Sequence, residues 1–150
     1  MRAVIQRVTK SKVTVENKVM GNIDKGLMVL LGVGENDTEK DIKWLGDKII
    51  NLRIFEDSDD KMNLSLLDVE GDLLIVPQFT LYGDCRKGRR PSFGTSAEPL
   101  KGEEFFKKLT SYIEQKYNIN VQKGKFQSHM VVDIQNDGPV TLLLDSEKNF

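Results

Sequence analysis

The chain has 150 residues, 39% of them hydrophobic, and its 22 basic and 23 acidic side chains leave a net charge of −1. That length suits one domain, which should bury roughly 68–70% of the surface its unfolded chain exposes, and the apolar share excludes disorder as the main state. The near-zero charge gives no overall pull on polyanions, so a nucleic-acid site has to come from local clustering, while a single cysteine and a single histidine exclude an internal disulfide and a multi-cysteine or His-rich metal site.

The segment from Met1 to Arg7 alternates apolar and polar residues and lacks the apolar stretch and cleavage site of a secretory signal, so a cytoplasmic location is expected. Val13 and Val15 alternate with polar neighbours up to a Glu16-Asn17-Lys18 turn, and Val19 to Ile23 return antiparallel, which predicts a β-meander. Leu27 to Val33, interrupted only by Gly32, is an apolar run of the kind found in a central strand covered on both faces. It falls far short of the ~18 residues of a membrane span. Thr38-Glu39-Lys40-Asp41 has a capping-box pattern, and Ile42, Leu45, Ile49 and Leu52 share one face, predicting a helix from 38 to 53.

After a polar, acidic loop from Asp57 to Asn63, Leu64 to Val69 and Leu73 to Val76 are predicted as two strands joined at Glu70-Gly71-Asp72. The second leads into Pro77-Gln78-Phe79-Thr80-Leu81. From Gly83 to Pro99 there is no apolar period, and an excursion this long is usually kept for function. A second helix carries Phe105, Phe106, Leu109, Tyr112 and Ile113 on one side and Glu103, Lys107, Lys108 and Glu114 on the other. Met130 to Ile134 and Val140 to Leu144 are the last predicted strands, separated by a turn from Gln135 to Pro139. The expected fold is a single α+β domain over residues 1–150, with mainly antiparallel sheets, sandwich-like or barrel-like, packed by two helices.

Side chains that usually carry catalysis are poorly arranged. Ser128 and His129 are adjacent, and neighbours on a strand point to opposite faces, so they make no nucleophile and base pair there. Cys85 stands beside Arg86 and Lys87 without a committed base. Gln78-Phe79-Thr80 ends a buried strand before an irregular loop, where main-chain amides leave the ladder and face a ligand; on pattern alone the same residues also read as core, sheet edge and strand end. Asn136-Asp137-Gly138-Pro139 reads either as a rigid turn or, because X-Pro bonds favour trans by only about 0.5–1 kcal/mol, as a cis-peptide turn with an outward carbonyl. Arg86, Lys87, Arg89 and Arg90 cluster on the loop ahead of Phe93, a pattern that suits phosphate and a stacked base and also suits a solvated loop.

Together, Pro77-Gln78-Phe79-Thr80-Leu81-Tyr82-Gly83-Asp84, the basic loop ending Arg90-Pro91-Ser92-Phe93, and Asn136-Asp137-Gly138-Pro139-Val140-Thr141 closely resemble the D-aminoacyl-tRNA deacylase family. Met1 to Val8 and the stretch from Phe126 through His129-Met130 are similar to it as well, so the resemblance spans essentially the whole chain. It implies hydrolysis of the ester between a D-amino acid and the terminal adenosine of tRNA, with glycine mischarged on tRNA-Ala also accepted. Gln78, Phe79 and Thr80 would line the ester site, the Phe79 amide, with that of Thr80, stabilising the oxyanion. Met130 would contact substrate, and Arg86, Lys87, Arg89 and Arg90 would hold tRNA.

The resemblance further implies a homodimer in which a cis Gly138-Pro139 enters the partner's site, binds the substrate ammonium and rejects L side chains by backbone collision. It implies no cofactor, metal or side-chain nucleophile, with water attacking and the terminal 2′-hydroxyl assisting. One position departs from the family: Pro77 stands where serine is common. Two other readings stay open, a nucleic-acid binding module without chemistry and a general esterase with Thr80 as nucleophile.

Overall fold

A computed structural model describes residues 1–150. Strand β1 (Arg2–Val15) is the spine: Ala3, Ile5 and Arg7 are buried in its first half and Ser11, Val13 and Val15 in its second, with the alternation broken at Val8, which is buried, and Thr9, which is exposed. Its first half pairs antiparallel with β3 (Gly26–Gly32), and its second half with β2 (Lys18–Ile23) across the predicted Glu16-Asn17 turn. Helix α1 (Glu39–Asn51) begins at the expected capping box, with the Thr38 amide donating to Asp41 Oδ2 at 2.8 Å. A short hairpin, β4 (Phe55–Glu56) and β5 (Met62–Leu64), precedes β6 (Asp72–Pro77), helix α2 (Pro99–Lys116), β7 (Val121–Lys123) and β8 (Val131–Asp145).

The sheet runs β2-β1-β3-β6-β7, with β8 on the other edge of β1. Antiparallel pairing predominates, while β3, β6 and β7 pair in parallel. The sheet curls until Gly21 on β2 stands opposite Gln122 on β7, where a Cβ would come within 3.2 Å of the Gln122 side chain, leaving a nearly closed barrel. Period-two alternation sorts the central strands between two cores. Leu27, Val29 and Leu31 of β3 and Leu73 and Ile75 of β6 face the helices, meeting Leu45, Ile49, Phe106 and Leu109. Met28, Leu74 and Val76 face the barrel interior with Val8, Val13 and Ile23. The apolar run of β3 is thus covered on both faces. No helix is long and apolar enough to cross a membrane.

Two expectations are corrected, and one strand was missed. Leu64 to Val69 does not form the expected strand: Leu64 ends β5, and beyond it Ser65 and Asp68 cap one another, with Asp68 Oδ2 accepting from the Ser65 amide at 2.8 Å, and Val69 donates to Ser65 O, so the segment winds into a turn that buries Leu66. Strand β7 carries no sequence signal strong enough to be predicted, being only three residues long. The two final strands form no hairpin across Gln135 to Pro139. Both flanks pair with the same strand β1, Asn136 opposite Val8 and Thr141 opposite Gln6, so Asp137 to Val140 bulge outward opposite Arg7 alone.

Candidate active site

The parallel ladder of β3 and β6 sets the site's position. Gln78 extends it by one bond, its amide donating to Leu31 O at 2.7 Å, and the chain then turns into a single 3₁₀ turn, Phe79–Tyr82. The turn is closed by Leu81 donating to Gln78 O and Gly83 donating to Thr80 O at 2.9 Å. Phe79 and Thr80 are its first residues, so their N–H groups have no partner within the turn, and no side chain caps them. The turn is held from behind. Arg2 Nη1 donates to Leu81 O at 3.1 Å, its guanidinium lies 4.5 Å from the Tyr82 ring centroid, and Asp145 Oδ2 accepts from its Nε at 3.4 Å. Glycines line both sides: a Cβ on Gly32 would stand 3.0 Å from Gln78 O, and one on Gly83 3.0 Å from Thr80 O.

Gln78 and Phe79, but not Thr80, line a cleft of about 650 Å³ together with Phe93, Phe126, His129 and Met130. Phe79 and Phe93 meet edge to face, centroids 5.1 Å apart, and both are exposed. Pro77 and Met130 converge on Gly124, where a Cβ would lie 3.1 Å from the proline ring and 2.9 Å from the sulfur. The Gln78 side-chain amide donates to Thr80 Oγ1. No base reaches that hydroxyl. Ser128 and His129 line the rim, with His129 exposed, and Cys85 is exposed on the basic loop.

That loop is pinched at its neck by a pair of main-chain bonds between Asp84 and Ser92, at 2.7 and 3.0 Å. Gly88 at its tip has φ +70°, the left-handed conformation that favours glycine. Asp84 receives the Arg86 amide at 3.0 Å and its Nε and Nη2 at 2.8 and 2.7 Å. The Arg86 guanidinium holds the Asp84 carboxyl well below the usual carboxylate range. Arg86 therefore carries no net free charge, while Lys87, Arg89 and Arg90 are exposed and outside any ion pair.

Gly138 and Pro139 sit elsewhere in the chain. Their peptide bond is cis, Gly138 has φ +118°, and both residues are exposed. Asn136 Nδ2 ties the neck of the bulge to Arg7 O at 3.0 Å and Val140 O at 2.9 Å. Arg7, buried at 4% exposure, fixes it from below: Nε donates to Asp137 O at 3.3 Å and Nη1 to Ile54 O at 2.9 Å and Glu56 Oε2 at 2.8 Å. Its hydrogen bond lowers the Glu56 pKa. Arg7 was not singled out from the sequence, and Asn136 only as part of the turn ahead of Pro139, although the inward phase of Ala3, Ile5 and Arg7 on β1 marks Arg7 as a buried cation in need of partners. Arg7 pairs with Leu27, whereas Gln78 bonds Leu31, so bulge and cleft lie four residues apart on β3, roughly 13 Å along the strand.

The model of the D-Tyr-tRNA(Tyr) deacylase family matches residues 4–145. The chain belongs to that family. Members named D-aminoacyl-tRNA deacylase from Petrotoga mobilis and Thermosipho melanesiensis are each 59% identical over 150 residues, covering both chains completely. The solved structure of a c-Myc DNA unwinding element binding protein superposes with TM-score 0.92 at 39% identity, covering 97% of this chain and 98% of that one. A probable eukaryotic D-amino acid tRNA deacylase shares the fold, with TM-score 0.81 at 20% identity over 95% of this chain and 97% of its own. As a member of the deacylase family, the protein is a hydrolase acting on ester bonds. For such a hydrolase the cleft offers main-chain donors and an aromatic wall, with no nucleophile and base pair beside them.

Proposed function

We propose that the protein cleaves the ester linking a D-amino acid to the terminal adenosine of tRNA, residues 1–150 acting as one deacylase domain. The observation that carries this reading is the uncapped amide of Phe79, which lines the cleft, with that of Thr80 next to it in the same turn. An ester carbonyl set against them gains its stabilisation as the tetrahedral oxyanion forms, and one such donor is worth about 2.7–4 kcal/mol. Water is the nucleophile, aided by the 2′-hydroxyl of the terminal ribose. Gln78 steadies the Thr80 hydroxyl, Met130 and the two exposed phenylalanines flank the adenosine, and Lys87, Arg89 and Arg90, with the Asp84-bound Arg86, face the tRNA phosphates.

Chirality is read by the backbone at Gly138-Pro139. Within one chain the bulge is remote from the cleft, so the reading requires a homodimer in which each protomer lends its bulge to the other's site. The long β8 edge, unpaired on its outer side and exposing Val131, Ile134 and Leu143, supports a second copy as its cover. Carbonyls of the bulge bind the substrate ammonium, and an L side chain collides with them. A D side chain points away, and glycine, including glycine mischarged on tRNA-Ala, has nothing to collide. The setting is the cytoplasm, where tRNA is charged.

Paired assays of D- and L-tyrosyl-tRNA test the proposal: fast release of D-tyrosine with L-tyrosyl-tRNA nearly untouched is expected, and equal rates would remove the chiral role of Gly138-Pro139. An active monomer in sedimentation would overturn the cross-subunit site. A second reading, duplex or single-strand nucleic-acid binding without chemistry, is favoured by the likeness to the DNA unwinding element binding protein and by the free cations of the loop. Turnover no faster than in a protein-free control would favour it.

A further inference from the structure

A second hollow, of about 760 Å³, lies behind the cleft wall. One segment serves both: Phe93 lines the cleft, whereas Ser92 and Gly94 on either side line the hollow. The partition is one ring thick, since a Cβ on Gly83, which also lines the hollow, would stand 3.1 Å from the Phe93 ring. A polymer whose last unit sits in the cleft therefore reaches the hollow with its next unit.

The floor is a stacking surface. The Arg2 guanidinium lies on the buried Tyr82 ring and remains 29% exposed on its outer side, and a guanidinium plane stacks a nucleobase as an aromatic ring does. The walls are polar. Asn149 spends both amide hydrogens on Asp145 and Glu147, which leaves its Oδ1 as an acceptor, while Ser92 and Thr95 bring hydroxyls. At the mouth, Arg86 gives Asp84 its Nε and one Nη2 hydrogen, and the Nη1–Nη2 edge of the fork stays open in an orientation Asp84 has already fixed.

We propose that this hollow is the subsite for the penultimate nucleotide of the single-stranded RNA 3′ end: its base stacks on Arg2, its amino edge meets Asn149, and the phosphate joining it to the terminal adenosine meets Arg86. The proposal rests on the deacylase reading, because that reading sets the terminal adenosine in the cleft. It explains why a loop this close to a carboxylate keeps Arg86, which contributes directed hydrogen bonds where Lys87, Arg89 and Arg90 contribute net charge.

Calorimetric binding of non-hydrolysable 3′-amides separates the two ideas. The ligands are 3′-deoxy-3′-(D-tyrosylamino)adenosine, the same compound with a 5′-phosphate, and the same compound extended at its 5′ side by a cytidine 3′-phosphate. Each added part is expected to tighten binding, the cytidylyl compound by tenfold or more over the nucleoside. Arg86→Ala should erase most of the step due to phosphate, and Asn149→Ala most of the step due to cytidine. Equal affinities for all three ligands would overturn the subsite, as would steps untouched by both substitutions, and a phosphate that alone supplied the whole gain would overturn the base platform. Failure to hydrolyse D-tyrosyl-tRNA would defeat the deacylase reading without altering the readout of this titration.

Discussion

Replacing Arg7 by Met keeps the apolar stem and removes the guanidinium that fastens the bulge. The bond from Nη1 to Ile54 O, at 2.9 Å, is buried, and a charged donor there is worth about 1.5–3 kcal/mol. Glu56 and Asp137 are 41% and 47% exposed, so solvent screens both of those pairings and the Ile54 bond carries most of the effect. Arg7→Met is therefore expected to lose about 1.5–3 kcal/mol of unfolding free energy, set by the Ile54 bond. Only Asn136 would still hold the bulge, by its neck. If the loosened backbone yields to an L side chain by about 1.4 kcal/mol, the L-to-D ratio of kcat/KM rises about tenfold. Urea denaturation gives the first quantity, and paired hydrolysis of D- and L-tyrosyl-tRNA by the remaining folded enzyme gives the second. Glu56→Gln is the control, since it spares the Ile54 and Asp137 bonds and should leave the urea midpoint close to the parent's. A destabilised Arg7→Met enzyme that still rejects L-tyrosine as strictly as before would refute the role given to the bulge.

Thr80→Val should keep kcat/KM within several-fold of the parent, because the main-chain amide survives the change; a complete loss accompanied by a trapped acyl-enzyme in mass spectra would make Thr80 the nucleophile instead. Changing Lys87, Arg89 and Arg90 together to Gln should weaken tRNA binding and flatten the plot of log K against log salt by roughly two to three units, at about 0.7–0.9 per phosphate contact, measured by filter binding across a salt series. Asp47 joins the two helices, accepting from Tyr112 at 2.9 Å, Lys116 at 2.8 Å and Tyr117 at 2.7 Å. Burial pulls its pKa up, but the hydrogen bonds from Lys116, Tyr117 and Tyr112 outweigh that and hold it below the ordinary 3.8. A carboxyl depressed on folding stabilises above its unfolded pKa and loses that contribution as pH falls through the folded one. The stability gap between the parent and Asp47→Asn should thus be full near neutral pH and narrow as pH falls below the ordinary carboxylate range, read from urea midpoints.

Local signals were the legible ones. The Thr38 to Asp41 capping box and the apolar run of β3 each state their outcome within a few residues, and both form as expected. Asn136-Asp137-Gly138-Pro139 misled because its composition is that of a turn, whereas its outcome depends on which strand its two flanks find, and both find β1. Leu64 to Val69 misled because apolar residues there obey the mutual capping of Ser65 and Asp68 before any period of two. At the site, the position of Gln78 to Thr80 at a strand end and the release of their amides from the ladder were readable, but the 3₁₀ turn that leaves the Phe79 and Thr80 amides without a partner was not. Arg86 was readable as a cation, but its capture by Asp84 required side-chain geometry.

The 3₁₀ turn lodged between Gly32 and Gly83 changes where inactivating substitutions ought to be sought. If the chemistry is done by peptide groups, drift at 79 and 80 is tolerable so long as the path of the chain is kept, and the intolerant positions are those that shape the path from outside. Gly32→Ala and Gly83→Ala press directly on the carbonyls of Gln78 and Thr80, each from 3.0 Å. Deleterious variants should accordingly gather in a shell that never meets the substrate, leaving the inner surface of the cleft comparatively free to vary.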